Sequence, residues 1–296
     1  MSANEIYVVL CSGHSGSRML VRVLIENGVF MGKYRGAVGE DEERFGRLLW
    51  HDGFQEHFVA SWKYPDEKRL SDEIQNRLRQ CHEEFIKDLG PAPALPKAIG
   101  FKNATLFPYV AKPYRQSLEG LGDRVKFIHL TRDPFTWMLS GKDANSRGII
   151  RPIRHPKFSQ LSRPFNRIVW FGSLADQVSC GRRTISVSDH QVYGDEEQTI
   201  LEAMFWRTTN QLCYEFSSWP EEYLHLQYED LVNRPELALD RLGQFIGAKL
   251  QVPQSGGAKI LRDRVSVESQ KMLGAANCAH IVNICGDLMK KVGYSS

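Results

Sequence analysis

The stretch Val9-Leu-Cys-Ser-Gly-His-Ser-Gly-Ser-Arg-Met-Leu20 combines small residues, hydroxyls and two basic side chains in a pattern suited to holding an anion. An apolar run from Ile6 to Cys11 ends in a small-residue turn, and a helix-compatible stretch begins near Ser17. Gly13 and Gly16 admit backbone angles closed to other residues, so N–H groups of the turn can converge on one point. The helix that follows adds its own unpaired N–H groups and the positive end of its dipole. The chemistry implied is capture of a phosphorylated ligand at the carboxyl end of a first strand, by Gly13, His14, Ser15, Gly16, Ser17 and Arg18. An ordinary tight turn rich in Gly and Ser would carry the same residues.

Two familiar nucleotide motifs are excluded. A Walker loop requires Gly-Lys-Ser/Thr at its end, whereas Gly16 is followed by Ser17 and Arg18, and no Lys lies between Cys11 and Lys33. The dinucleotide pattern Gly-x-Gly-x-x-Gly is also missing. A second anion-binding candidate lies further on, where Val125–Thr131 runs into Arg132-Asp-Pro134. Pro134 fits the first position of a helix, with Asp133 as its cap. Arg132 then sits at a strand's carboxyl edge with a fork matched to phosphate. Ser140, eight residues on, can offer a hydroxyl to the same group; an Arg paired with a carboxylate and a helix-surface Ser would read the same way.

The elements that must position these residues alternate in type. Strands are expected at Glu5–Cys11, Ala98–Lys102, Val125–Thr131 and Tyr223–Tyr228, and helices at Ser17–Asn27, Leu70–Leu89, Leu106–Leu121, Glu196–Ser217 and Asp230–Ile246. Such alternation implies right-handed crossovers and a mainly parallel sheet, with ligands beyond the carboxyl ends of the strands. The fold class expected is α/β, a mainly parallel central sheet flanked by helices. Gly90–Pro96 reads as a surface connector. A final helix, Ala279–Val292, places Ile281, Ile284, Cys285, Leu288 and Met289 on one face, which is packing rather than chemistry.

At 296 residues, 42% hydrophobic and 25% charged, the chain suits one large α/β domain spanning 1–296, with 141–195 as a lid-like or acceptor-binding insertion. The segment from Lys142 to Arg167 holds seven Lys or Arg residues and a single acid, Asp143, and reads as an irregular basic loop. It suits either a solvated surface or a lid over an anion. A net charge of +3 calls for neither nucleic acid nor an anionic membrane. No apolar run is long enough to span a bilayer, and the amino terminus lacks the order of regions that a cleavable signal requires. The six cysteines show no Cys-x-x-Cys pair, so reduced thiols and a cytoplasmic location are expected.

Taken together, these residues resemble the sulfotransferases that use 3′-phosphoadenosine 5′-phosphosulfate (PAPS). In that family a basic residue followed by Ser-Gly-Thr/Ser cradles the 5′-phosphosulfate, and here the sequence is His14-Ser15-Gly16-Ser17. An Arg followed eight residues later by a Ser binds the 3′-phosphate, matching Arg132 and Ser140. Gly100-Phe-Lys-Asn103 resembles a Lys-Asn/Asp-Pro strand end, although Ala104 stands where Pro is usual. Trp206-Arg207 with Asn210, Tyr228-Glu-Asp-Leu231 with Pro235, Phe245-Ile-Gly247 and Gly293-Tyr294 resemble downstream elements. These pieces span about half the chain, and 50–95 and 141–195 have no counterpart among them.

The resemblance implies a P-loop-like fold, PAPS as donor, 3′-phosphoadenosine 5′-phosphate as product, and no metal. It implies a hydroxyl or amine acceptor on a small molecule, glycan or lipid. Leaving-group stabilisation falls to His14, assisted by Lys102. His14 departs from the usual Lys or Arg and brings a pH dependence with its unperturbed pKa of about 6.5. The catalytic base is expected at Glu40, the first of the run Glu40-Asp-Glu-Glu43, with Glu42, Glu43 and His155 as alternatives. An acidic helix start would account for part of that run. A non-catalytic phosphonucleotide-binding module and an ATP-dependent small-molecule kinase remain as alternatives.

Overall fold

The computed structural model describes residues 4–13, 15–32, 44–45, 68–89, 98–102, 107–146, 178–180, 183–185, 195–252 and 266–295. Their strands are β1 (Glu5–Cys11), β2 (Val29–Phe30), β3 (Ala98–Lys102), β4 (Arg124–Thr131), β5 (Val178–Cys180), β6 (Arg183–Ile185) and β7 (Tyr223–Gln227). Their longer helices are α1 (Ser17–Glu26), α2 (Lys68–Lys87), α3 (Phe107–Ser117), α4 (Pro134–Ser146), α5 (Asp195–Tyr214), α6 (Tyr228–Asn233), α7 (Pro235–Ile246), α8 (Ser266–Leu273) and α9 (Ala275–Lys291). The chain divides into two compact units. One comprises Met1–His51, Ser71–Arg132 and Leu212–Asp263; the other comprises Asp52–Leu70, Asp133–Gln211 and Arg264–Ser296.

The first unit is built on a five-stranded sheet in the order β2-β3-β1-β4-β7, and every pair in it is parallel. β1 lies at the centre, and its residues from Ile6 to Cys11 are all buried, as a strand covered on both faces requires. Side chains alternate between the two faces. Tyr7, Val9 and Cys11 join Ile128, Leu130 and Leu226 under the apolar stripes of α1 and α7, supplied by Leu20, Leu24, Leu239 and Leu242. On the other part of the core, Phe101 stacks on Phe45 at 4.3 Å and meets Tyr114 edge-on, while Phe127 packs on Phe216 at 4.2 Å.

The central strands and most helices fall near where the apolar pattern puts them, although α3 stops at Ser117 rather than Leu121 and α5 at Tyr214 rather than Ser217. Asp230–Ile246 is two helices, α6 and α7, because Arg234 leaves helical geometry and Pro235 opens the second as its first residue. Tyr228 is the first residue of α6 rather than the last of a strand. The last helix begins at Ala275, after Gly274, earlier than its apolar stripe indicates. Strand β2 has only two residues and offers no periodicity to read.

In the second unit, α4 packs against α8 and α9. Asp133 caps α4 as expected, accepting a hydrogen bond from the Thr136 N–H at 3.0 Å. Ile281, Ile284, Cys285, Leu288 and Met289 form the buried face of α9. Arg207 of α5 donates to the Ile284 carbonyl and reaches Asp287 at 2.9 Å, and Trp206 beside it is fully buried. Strands β5 and β6 form a short antiparallel pair. Among the described residues no helix is long and apolar enough to cross a membrane.

Buried polar groups tie the sheet of the first unit at both ends. Before β1 and β4, Asp123 accepts from the Asn4 backbone N–H and side-chain amide and holds His82 at 2.9 Å, and His82 in turn meets the Tyr114 hydroxyl at 2.8 Å. Between β4 and β7, His129 bonds Tyr223 at 2.7 Å and Thr131 bonds His225 at 2.9 Å. Burial, reinforced by Arg241 and opposed by Asp230, pushes His225 down to about 4. Burial also lowers His82, against the pull of Asp123. Unfolded histidine takes up a proton below about pH 6.5, whereas these folded imidazoles resist it. Stability is therefore complete above about pH 6.5 and declines as pH falls through the window toward about 4. Urea unfolding midpoints measured from pH 7.5 downward are expected to fall across that window, and less steeply in His225→Asn. An equal slope in the variant would assign the loss to other groups.

Candidate functional site

The carboxyl edge of the sheet gathers four strand ends. Cys11 of β1 pairs with Leu130 of β4, Val9 with Lys102 of β3, and Thr131 with Gln227 of β7. The chain therefore leaves β1 at Ser12, β4 at Arg132 and β7 at Tyr228 along one edge, with neighbouring strands about 4.8 Å apart. Lys102 shares its face of the sheet with Val9 and is only 2% exposed. Arg132 is 9% exposed.

The turn after β1 is closed by its own groups. The Ser15 N–H donates to the Ser12 carbonyl at 3.3 Å, and the two hydroxyls share a hydrogen bond of 2.7 Å. Ser12 and Ser15 are fully buried and Ser17 nearly so. Gly16 caps α1 in the left-handed region, at φ 80 and ψ 9, and its carbonyl accepts from Met19 and Leu20. No side chain among the described residues caps this helix, so its amino end faces the turn with backbone N–H groups.

The two glycines of the turn serve different ends. A Cβ built at Gly13 meets no atom within 4 Å among the described residues. A Cβ at Gly16 would lie 2.2 Å from Cδ2 and 2.3 Å from Cε2 of Tyr228. Gly16 is thus required twice, by its backbone angle and by the tyrosine ring packed against it. The same ring carries the Arg132 guanidinium on its face, at 4.6 Å from the centroid. Tyr228 is 5% exposed.

Of the residues singled out in the sequence, Gly13, Ser15, Gly16, Ser17 and Arg18 lie in the turn or the first turn of α1, and Lys102 and Arg132 lie at strand ends of the same sheet edge. Ser140 is a half-buried residue of α4 in the second unit, about 9 Å along the helix from Pro134. His14, Glu40, Glu42, Glu43, Asn103 and His155 lie outside the described residues. His129, within β4, is fully buried. Two contributors carry no site role in the sequence reading: Ser12, whose hydroxyl braces the turn, and Tyr228, quoted there only within a downstream element, whose ring touches both Gly16 and Arg132. An aromatic placed directly after a strand, on the edge where the phosphate-type turn emerges, is the signal that marks Tyr228.

What the arrangement offers chemically is a set of positive groups and directed N–H donors at one edge of a parallel sheet. No family profile matches the chain, and no curated protein sequence matches it. Similar solved structures include a sulfotransferase domain from the curacin biosynthetic pathway, at 17% identity and TM-score 0.42, covering 95% of this chain and 83% of that one. A sulfotransferase domain from the Synechococcus PCC 7002 olefin synthase is similar at 17% identity and TM-score 0.43, covering 97% and 95%. A sulfotransferase from Alicyclobacillus acidocaldarius is similar at 10% identity and TM-score 0.49, covering 100% and 98%.

The contrast between the glycines is testable by stability. Gly16→Ala is expected to cost about 1–3 kcal/mol through strain and collision with the ring, and Gly13→Ala to stay within about 1 kcal/mol of the parent. Urea titration of both variants reads the difference, and equal losses would contradict it.

Proposed function

We propose that this chain is a sulfotransferase that moves a sulfuryl group from PAPS to a hydroxyl or amine acceptor. The observation that carries the reading is the edge formed by three neighbouring strands, β3, β1 and β4, which end in Lys102, the Ser12–Ser17 turn and Arg132. A ligand with two separated anionic groups suits such an edge, because a turn of N–H donors and a guanidinium fork each take one of them. The residues suit the donor: a turn of backbone N–H donors and small hydroxyls stands at this edge, and among the described residues no atom lies within 4 Å of a Cβ at Gly13.

In this reading the backbone N–H groups of the turn, with Ser15, Ser17 and Arg18, hold the 5′ end, and Arg132 holds the 3′-phosphate. When bound, the donor supplies an activated sulfuryl group on a phosphate leaving group. His14 and Lys102 set positive charge against the oxygen on which negative charge develops, the electrostatic contribution that dominates transfers of this kind. Glu40 takes the acceptor's proton as the new bond to sulfur forms and the bond to the bridging oxygen breaks. We place the reaction in the cytoplasm, in keeping with the buried thiols of Cys11, Cys81, Cys213 and Cys285. The acceptor is a small-molecule, glycan or lipid hydroxyl.

Calorimetric titration is expected to give saturable binding of 3′-phosphoadenosine 5′-phosphate and none of ATP with magnesium; the reverse result would make the chain a kinase. Glu40→Gln is expected to lower sulfuryl transfer by about 10²–10⁴-fold while leaving product-nucleotide binding intact, the size of a lost general base. Near-normal turnover in that variant would move the base to Glu42, Glu43 or His155. Binding without transfer across phenol, sugar and lipid-alcohol acceptors would favour a non-catalytic module.

A further inference from the structure

We infer that His129 and His225 form a proton-sensitive clasp: their neutral imidazoles hold the edge strand β7 to β4, and acid frees β7 locally, before the rest of the sheet yields. The clasp stands on the contacts between the two strands. Only its link to the anion-holding edge rests on the proposed reading of that edge.

The clasp is a zigzag of polar side chains on one face of the sheet. His129 lies opposite His225 in the register of β4 and β7, and Thr131 lies opposite Gln227. Each imidazole bonds diagonally instead, His129 to the Tyr223 hydroxyl at 2.7 Å and His225 to the Thr131 hydroxyl at 2.9 Å. The two rings stand 5.3 Å apart, centroid to centroid. Apolar side chains would fill such a face without the demand for partners that each imidazole brings. The run ends at Thr131, one residue before Arg132, so its release takes a partner from the strand end that carries the guanidinium.

Strand β7 is placed to leave alone. It ends the order β2-β3-β1-β4-β7, so among the described residues it pairs on one side only. Leu226 is its one buried residue, and the other four are part-buried. Such segments open at lower cost than central strands.

Charge decides when it leaves. Among the described residues, Tyr223 of β7 faces His129, with Cys213 and Tyr214 at the end of α5 close enough to act on it. Facing His225 are Asp230 of α6, which pairs with Arg234, and Arg241 of α7, which donates to the His225 carbonyl at 3.0 Å. Burial and Arg241 prevail over Asp230 and push His225 down to about 4. An imidazole released to water takes up its proton near 6.5. The open form therefore gains a proton that the closed form refuses, and acid favours opening. For His225 alone, opening rises about tenfold between about pH 7.5 and pH 5.5.

Hydrogen exchange of the parent protein, in urea below its unfolding transition and corrected for intrinsic rates, separates local opening from global unfolding. Peptides covering β7 are expected to be less protected than those covering β1, to respond little to urea, and to lose about tenfold in protection from about pH 7.5 to pH 5.5. Protection and urea dependence equal to those of β1 would overturn the inference, as would a local opening indifferent to pH. His225→Gln keeps an amide in reach of Thr131 and is expected to remove the response to acid. A tenfold response that survives in this variant also overturns the clasp; should the variant not fold, the two criteria in the parent decide. At about 100 times its dissociation constant, 3′-phosphoadenosine 5′-phosphate is expected to slow the opening of β7 by up to about 100-fold. Opening unchanged by bound nucleotide overturns the link to the anion edge. A parent protein that does not bind this nucleotide overturns the sulfotransferase reading, while exchange without ligand still decides the clasp.

Discussion

Cys11 pairs with Leu130 in the parallel register of β1 and β4, so the chain leaves both strands at nearly the same level of the sheet. That register determines what can meet at the carboxyl edge. A slip by one residue would turn every side chain of a strand to the other face and bring Val9 and Ile128 out of the core they share with α1 and α7. The apolar alternation of the strands thus fixes not only the core but also where Ser12, Lys102, Arg132 and Tyr228 emerge. Packing in the interior and chemistry at the edge are set by the same hydrogen bonds.

The edge is crowded with polar groups that a sheet interior would not tolerate without partners. Ser12 and Ser15 satisfy one another, Arg132 lies on an aromatic face, and the amino end of α1 presents backbone donors to the turn. The opposite edge is occupied by the Asn4–Asp123–His82–Tyr114 chain, which is closed and ties β1, β4, α2 and α3 together. On the carboxyl side, no atom of the described residues lies within 4 Å of a Cβ built at Gly13. The asymmetry fits the general placement of ligands beyond the carboxyl ends of parallel strands.

Much of this was legible in the sequence because it rests on short, strong patterns. The boundaries of β1 and β3 follow from apolar runs stopped by polar residues, and the capping of α4 follows from Asp133-Pro134. The split of α6 from α7 was signalled by Pro235 yet masked by a continuous apolar stripe. Strand β2 is held by pairing with β3 rather than by any local pattern, and such tertiary pairing leaves no trace in a two-residue segment. Within the candidate site, types and spacing singled out the turn and Arg132, which the structure places on one edge of the sheet, since glycine, small hydroxyls and a guanidinium suit an anion. Tyr228 was hidden because its role depends on contacts across 212 and 96 positions of chain, to Gly16 and Arg132. Gly16 was read for the freedom it gives the backbone, and the ring it makes room for belongs to the third dimension.

The central claim is that the turn at Ser12–Ser17 and the guanidinium of Arg132 hold the two ends of one nucleotide. A crystal structure with 3′-phosphoadenosine 5′-phosphate tests it most directly. The account predicts the 5′-phosphate against the N–H groups of the turn and the 3′-phosphate within hydrogen-bond distance of Arg132. A nucleotide bound elsewhere, or touching the turn with its 3′-phosphate away from Arg132, would contradict it.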